Sequence, residues 1–235
     1  VPPTEQLPRN DIRLYDRLAD QWWRPRGVFA MLHWLAAARG ELVPPPERAG
    51  AVLVDLGCGA GLLAPHVRGY RHIGVDMSAS GLRQAREHGV TAVRGDVLRV
   101  PLRDGCADVV VAGEILEHVT DLDAAVREIG RVLAPGGLLV LDTLAATRRC
   151  RFVAIGVAER VPGMAPRGVH DPRLLVDRAA LVKVAAEVGI PLRLRGIRPV
   201  LSDVAGWLLG RRDSVRLRPV RDTGVLFQGV GRKVG

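Results

Sequence analysis

Cysteine is scarce in this chain of 235 residues, and the three present, Cys58, Cys106 and Cys150, are scattered and lack C-x-x-C spacing. That excludes a disulfide framework and reads as small buried apolar residues in a reducing compartment, so a cytoplasmic location is expected. No uncharged apolar run reaches the length of a membrane span, and the opening VPPTEQLPRND lacks the pattern of a secretory signal. Internal repeats and low-complexity blocks are missing as well. Lysine is almost absent: of 34 basic residues only Lys183 and Lys233 are lysines, so arginine carries the net charge of +9. Such a balance permits an anionic partner. However, the arginines are spread along the chain without an RRM, zinc-finger or helix-turn-helix pattern, so no nucleic-acid partner is expected.

What is present is one large domain's worth of apolar sequence, 48% of residues, enough to build a core without metal or disulfide staples. Residues 1–49 read as an N-terminal helical cap and linker. Its apolar residues (Ile12, Leu14, Tyr15, Leu18, Trp22, Trp23, then Val28, Phe29, Leu32, Leu35) predict two short helices broken near Pro25 and Gly27, and VPPPERAG follows as a connector. Residues 50–235 read as the main domain. AVLVDL, HIGVDM, VTAVRGD, ADVVVAG and GGLLVLDTL are predicted strands. Helices are expected from about Gly61, after Ser78 as N-cap, and over 121–133. A helix over 178–188 and two last strands, LRLRGIRPV and TGVLFQGVGRK, close the pattern, with substrate-side insertions at about 145–175 and 201–221. This alternation predicts an α/β fold: a doubly wound, mostly parallel seven-stranded sheet, Rossmann-like, with N-terminal helices and a C-terminal antiparallel strand pair.

The glycines of VDLGCGAGLL fall where a first strand must turn sharply while a ligand approaches its backbone. Gly57, Gly59 and Gly61 are spaced G-x-G-x-G, not the G-x-G-x-x-G of dinucleotide sites, and Asp55 two residues earlier suits a cationic ligand better than a pyrophosphate. A tight turn without ligand is the bland alternative. Asp76 ends the second strand 19 residues after Gly57, where a carboxylate can accept both hydroxyls of a ribose; a helix-capping acid is the alternative. Asp96 in RGDV ends the third strand and can reach an adenine amino group. With the neighbours Met77 and Val97, these residues describe an adenosine site without phosphates. In GEILEHV, a helical turn would place Glu114, Glu117 and His118 on one face, where they could hold Mg²⁺ or another divalent ion, or else line a cofactor or cap the next helix. His118, His170 and His33 are candidate general bases, with Glu117 beside the first; an ordinary hydrogen-bonded histidine is the better reading of His33.

The segments VLVDLGCGAG, GVDMS, RGDV, EILEHV and LAPGGLLVLDT resemble the class I S-adenosylmethionine-dependent methyltransferases. ADQWWRPRGVFAMLHWLAAAR and APRGVHDP are similar to segments of the ubiquinone-biosynthesis O-methyltransferases, which methylate polyprenylated catechols and phenols. The resemblance implies S-adenosylmethionine as cofactor, with Arg39 on its carboxylate, the Gly57 turn around its amino-acid part, Asp76 on the ribose and Ile115 on the adenosine. It also implies a small aromatic acceptor, with Mg²⁺ on the Glu114, Glu117 and His118 trio in some relatives. The chain departs from the family's S-T-L-N-R at Ala145 and Ala146, and from its loop threonine at Val169. A natural-product O- or N-methyltransferase with a soluble acceptor is therefore the main alternative; a nicotinamide oxidoreductase and a non-catalytic cofactor-binding scaffold are the others. The run VAGWLLGRRDSVRLRPVR sets Val204, Trp207, Leu208 and Leu209 beside five arginines, either as a peripheral membrane contact or as a lid over the substrate.

Overall fold

A computed structural model describes residues 7–161 and 164–235 of the chain. The apolar runs form strands β1 (Val52–Leu56), β2 (Arg71–Asp76), β3 (Thr91–Arg94), β4 (Ala107–Gly113) and β5 (Leu133–Leu144), all parallel. β6 (Arg193–Pro199), β7 (Leu217–Val220) and β8 (Leu226–Arg232) complete an eight-stranded sheet in the order β3-β2-β1-β4-β5-β8-β6-β7. β8 runs antiparallel to both β5 and β6, and β7 antiparallel to β6. The order reverses between β1 and β4, so a crevice opens beyond the carboxyl ends of those two strands, where doubly wound sheets take their ligands.

Alternation along the strands feeds two cores. Val54, Val110 and Leu139 pack on one face against α4 (Leu122–Val132) and α6 (Arg178–Glu187) through Val126, Ile129, Leu181 and Val184. Leu53, Val109, Val111 and Val140 face the other way, onto Leu63 and Val67. The helix α3 (Ala79–Glu87) begins at Ser78, whose hydroxyl accepts from the Gly81 amide at 3.1 Å. Before the sheet come α1 (Arg13–Arg17) and α2 (Ala30–Gly40). Trp22 stacks on Phe29 at 4.3 Å, and the pair packs with Ala36 onto Ala60 and Leu62, which seats the helical cap on the glycine turn.

The structure adds one strand to the expected sheet, replaces one expected helix and decides between the two alternatives for Trp207. The 201–221 insertion supplies an eighth strand, β7, which was not foreseen because LRPV is only four residues long and carries a proline. No α-helix follows β1; the chain makes a short 3₁₀ turn at Ala64–His66 instead. Three left-handed glycines and Pro65, which has no N–H to donate, leave too little uninterrupted chain to nucleate a helix there. Trp207 is not an exposed wedge: α7 (Leu201–Leu208) turns it inward, 4% exposed, edge-on to Trp34 and beneath the Arg26 guanidinium. The outward side of this segment is instead Leu201, Leu208 and Leu209, which are 80%, 58% and 66% exposed. Between β5 and α6 the chain winds through α5 (Arg148–Cys150) into a π-helical stretch, Arg151–Val157.

Candidate active site

The crevice holds a cavity of about 400 Å³. Its floor is the turn after β1, where Gly57 and Gly59 adopt left-handed conformations with φ of 70° and 50°. Both positions are closely packed by protein. A Cβ on Gly57 would lie 2.7 Å from the Ile115 side chain, and one on Gly59 would lie 2.7 Å from the Trp22 ring. The turn is thus bare because the walls of the cavity lean on it, in addition to any ligand. Gly61 lies just outside the cavity lining, against Ala85 and Val90.

Asp55 lines the cavity from the end of β1, with His72 Nε2 3.4 Å from its carboxylate. Asp76 lines it from β2, its two oxygens accepting from the Gly59 amide at 2.8 Å and the Ser78 amide at 2.7 Å. Burial holds the Asp76 carboxyl above the usual carboxylate range despite those amides. Asp96 is exposed at the mouth, accepting from the Leu98 amide, and Met77, Val97 and Ile115 supply apolar wall around these acids.

Arg39 reaches the crevice from α2, and its main partner was missed in the sequence. Asp142, fully buried on β5, accepts from Arg39 Nε at 2.7 Å and Nη2 at 3.0 Å. The signal was an acid inside the apolar run LLVLDTL, where a charge is tolerated only with a partner. Burial pushes the Asp142 carboxyl up while the Arg39 guanidinium pulls it down. The guanidinium lies flat over Gly113: a Cβ there would be 1.8 Å from Arg39 Cζ. With Nε and Nη2 on Asp142, Arg39 Nη1 makes none of the described hydrogen bonds.

The far end of the cavity is where the remaining candidates gather. Glu114 follows β4 with a left-handed φ of 50°, its amide donating to the Asp142 carbonyl, and one of its carboxylate oxygens is buried without a partner. Glu117 is fully buried outside the cavity lining; Oε2 accepts from the Thr143 hydroxyl at 2.7 Å and Oε1 has no partner. Burial raises both carboxyls above their usual range, Glu114 strongly so, with the charge of Glu117 as its next cause. His118 stacks on His170 with ring centroids 5.7 Å apart. Burial and then His170 push His118 down to about 3, so it is a neutral imidazole at neutral pH. His170 is held through Nδ1, 3.3 Å from Glu159. Ligand atoms of Glu117, His118 and His170 all lie within 4.8 Å of one another. His170 thus takes the place expected for Glu114 in the tightest cluster, because the 116–118 segment is a 3₁₀ turn and aims its residues differently from an α-turn. His33 sits away from the cavity, its Nε2 2.8 Å from the Trp22 carbonyl. Val169 lines the cavity, whereas Ala145 is buried beside Val176 and does not.

This strand order, with a reversed strand beside β5 and a crevice of glycines and acids where the order reverses, is that of a class I S-adenosylmethionine-dependent methyltransferase. Residues 54–141 match the methyltransferase-domain family. An S-adenosylmethionine-dependent methyltransferase of Thermotoga maritima shares the fold with a TM-score of 0.62, covering 94% of this chain and 95% of its own at 20% identity. The ubiquinone biosynthesis O-methyltransferase of Bordetella pertussis is 30% identical over 213 residues, covering 83% of this chain and 86% of its own. That of Sodalis glossinidius is 33% identical over 193 residues, 76% of each chain. The chain belongs to the ubiquinone biosynthesis O-methyltransferase family and is an O-methyltransferase with S-adenosylmethionine as its cofactor.

Proposed function

We propose that the acceptor is a hydroxylated aromatic small molecule, a catechol or phenol, a reading supported by relatives named as O-methyltransferases of ubiquinone biosynthesis. The observation that carries this reading is the far end of the cavity. Two imidazoles, each held through Nδ1, line it with Glu114, which has an unpartnered carboxylate oxygen, and Tyr15, Val28, Phe29, Met31 and Leu32 form an apolar wall. An aromatic ring suits that wall, and its hydroxyl suits those polar groups.

In this reading Asp76 accepts the ribose hydroxyls, Asp96 the adenine amino group, and Met77, Val97 and Ile115 pack on the base. The turn at Gly57 and Gly59 takes the amino-acid part, Asp55 its ammonium and Arg39 Nη1 its carboxylate. The acceptor oxygen attacks the sulfonium methyl carbon in line. The C–S bond breaks with its electron pair returning to sulfur, which leaves the thioether product, and the hydroxyl proton passes to an imidazole. Alignment and exclusion of water are the protein's main contributions. An imidazole as weakly basic as His118 takes a proton only from a hydroxyl already acidified.

Glu117, whose Oε1 has no partner, fits a divalent cation together with the His118 and His170 pair, their ligand atoms lying within 4.8 Å of one another, and such an ion, when bound, would acidify the acceptor hydroxyl. One imidazole of the His118 and His170 pair would complete its donor set and the other would keep its lone pair for the proton. This mixed nitrogen and oxygen set suits Mn²⁺ better than Mg²⁺, which favours oxygen ligands. Methyl transfer from labelled S-adenosylmethionine to a panel of catechols and phenols tests the reading. Chelation is expected to suppress turnover while leaving binding of the cofactor product intact, with Mn²⁺ restoring it at lower concentration than Mg²⁺. Full turnover in excess chelator would remove the cation, and no transfer to any hydroxylated ring would remove the acceptor class.

A peripheral membrane contact remains part of the proposal, now through Leu201, Leu208 and Leu209 with Arg211 and Arg212 at their edge. A prenylated acceptor would be delivered from such a surface.

A further inference from the structure

Among the described residues, two non-glycine residues have a left-handed backbone, Asn10 with φ of 60° and Glu114 with φ of 50°. Both line the cavity, and both flank His118. Such conformations cost free energy and persist where surrounding contacts fix them. For Glu114 the contact is Asp142. For Asn10 it is His118.

Asn10 touches His118 twice. Its Nδ2 donates to the His118 carbonyl at 2.9 Å, and its Oδ1 lies 2.6 Å from His118 Nδ1. The first bond decides the second. A carbonyl can only accept, so the amide must point its nitrogen there, which leaves Oδ1, also an acceptor, facing the ring. Nδ1 must therefore carry the hydrogen. In a neutral imidazole the lone pair then belongs to Nε2, which lies 3.5 Å from the Tyr15 hydroxyl on the cavity side. Nothing else among the described hydrogen bonds holds this ring nitrogen. Asn10 is itself held by its backbone N–H, which donates to the Gly168 carbonyl at 3.0 Å, two residues before His170. Arg9 extends the same link, donating to the His170 carbonyl at 2.8 Å and to Glu159. Seven residues on from Arg9, the Asp16 carboxylate accepts from the Ser78 and Ser80 hydroxyls beside Asp76. The segment from Arg9 to Asp16 thus spans the cavity from one end to the other.

We propose that Asn10 is a positioning residue for methyl transfer: it fixes the Nδ1–H tautomer of His118 and so presents Nε2 to the acceptor. This rests on the reading that His118 acts in the reaction, whether its Nε2 takes the proton or the cation. Because Asn10 comes from the strap that also grips the ribose end through Asp16, the ring is set only when the strap lies across the cavity. Neutral asparagine directs the ring without adding a charge, unlike the carboxylate that orients many such histidines.

Long-range proton–nitrogen correlation spectra of the labelled protein with S-adenosylhomocysteine bound read the tautomer directly, with His118→Gln identifying the ring's signals. The expected result is one tautomer in the wild type, with hydrogen on Nδ1 and Nε2 bare. Asn10→Asp, whose carboxylate still accepts from Nδ1, should keep it, and Asn10→Ala should give a mixture. In the catechol assay, Asn10→Ala should lower kcat by about 10- to 100-fold, the effect of removing a partner that orients an imidazole through its second nitrogen. The KM for S-adenosylmethionine should stay within about twofold, and Asn10→Asp should recover most of the loss. If Asn10→Ala does not fold, Asn10→Ser, too short to reach the ring, replaces it. A wild-type ring with hydrogen on Nε2, or an unchanged tautomer in the alanine or serine variant, overturns the proposal. A tautomer that follows Asn10 while His118→Gln keeps full turnover supports the link and overturns the role of His118 in the reaction.

Discussion

Replacing Gly113 with alanine would add one methyl group, and the structure says where it would go. The new Cβ would fall 1.8 Å from Arg39 Cζ and 2.1 Å from Nη1, so the guanidinium must leave its place. Gly113 lies outside the left-handed region, so alanine adds no backbone strain, and any cost comes through Arg39. Moving the guanidinium removes two charge-assisted bonds from Asp142, which has no exposure to water. Breaking a buried pair of this kind costs about 3–5 kcal/mol when the remaining charge stays ionised. Asp142 can take up a proton instead, since burial already raises its carboxyl, and this brings the expectation to about 2–4 kcal/mol. For a chain of this size that corresponds to a fall in melting temperature of roughly 5–15 °C. Binding of S-adenosylhomocysteine should weaken by about tenfold or more as Arg39 Nη1 leaves the cavity. Urea unfolding and calorimetry measure the two effects. The decisive comparison is the same substitution in an Arg39→Ala background, where the methyl group meets no guanidinium and should cost almost nothing. Equal losses in both backgrounds, or no loss in the wild type, would rule out displacement of the Arg39 guanidinium as the cause.

Asp76→Ala should weaken S-adenosylhomocysteine binding by about 1.5–3 kcal/mol, and an unchanged affinity by calorimetry removes its ribose role. Glu114 and Glu117 have folded-state carboxyls raised above their unfolded values, so the stability they allow is complete below the usual carboxylate range and is lost as pH rises through the raised values. Glu114→Gln should therefore flatten the decline of the urea midpoint as pH rises above the usual carboxylate range in the cofactor-free protein; an unaltered slope contradicts this. With vesicles of anionic phospholipid at low salt, the protein should sediment, and Leu208→Ser with Leu209→Ser should reduce the bound fraction. If the protein stays in the supernatant, the acceptor is a soluble aromatic. Trp207→Ala, by contrast, should cost stability by opening the packing against Trp34.

The parts of the fold legible in the sequence were those set by period and by backbone exceptions. Seven apolar segments became the seven main strands, and Gly57, Gly59, Asp55 and Asp76 came together because each sits at a strand end, a position that topology alone dictates. What escaped depends on contacts across long chain separations. Asp142 is 103 residues from Arg39, and nothing local marks them as a pair. Asn10 lies 108 residues from His118 in a stretch with no periodicity to read. The cluster of Glu117, His118 and His170 differed from the expected trio because i, i+3, i+4 reasoning presumes an α-turn, and the chain makes a 3₁₀ turn there. For Trp207 two alternatives stayed open, because an apolar residue among arginines looks the same in sequence whether it faces solvent or a second tryptophan, and the structure takes the inward one.

The unforeseen strand β7 has a consequence for how copies of this protein can meet. A sheet ends in a row of unpaired amides and carbonyls that invites another chain to add itself. At this margin the last strand is four residues long, Pro219 contributes no N–H, and Arg218 lies directly opposite Arg198, a like-charge pairing that weakens the ladder. An added strand would find few donors and would run beside Arg218. Growth of the sheet into a continuous two-chain sheet, or into a fibre, is therefore disfavoured at the β7 edge.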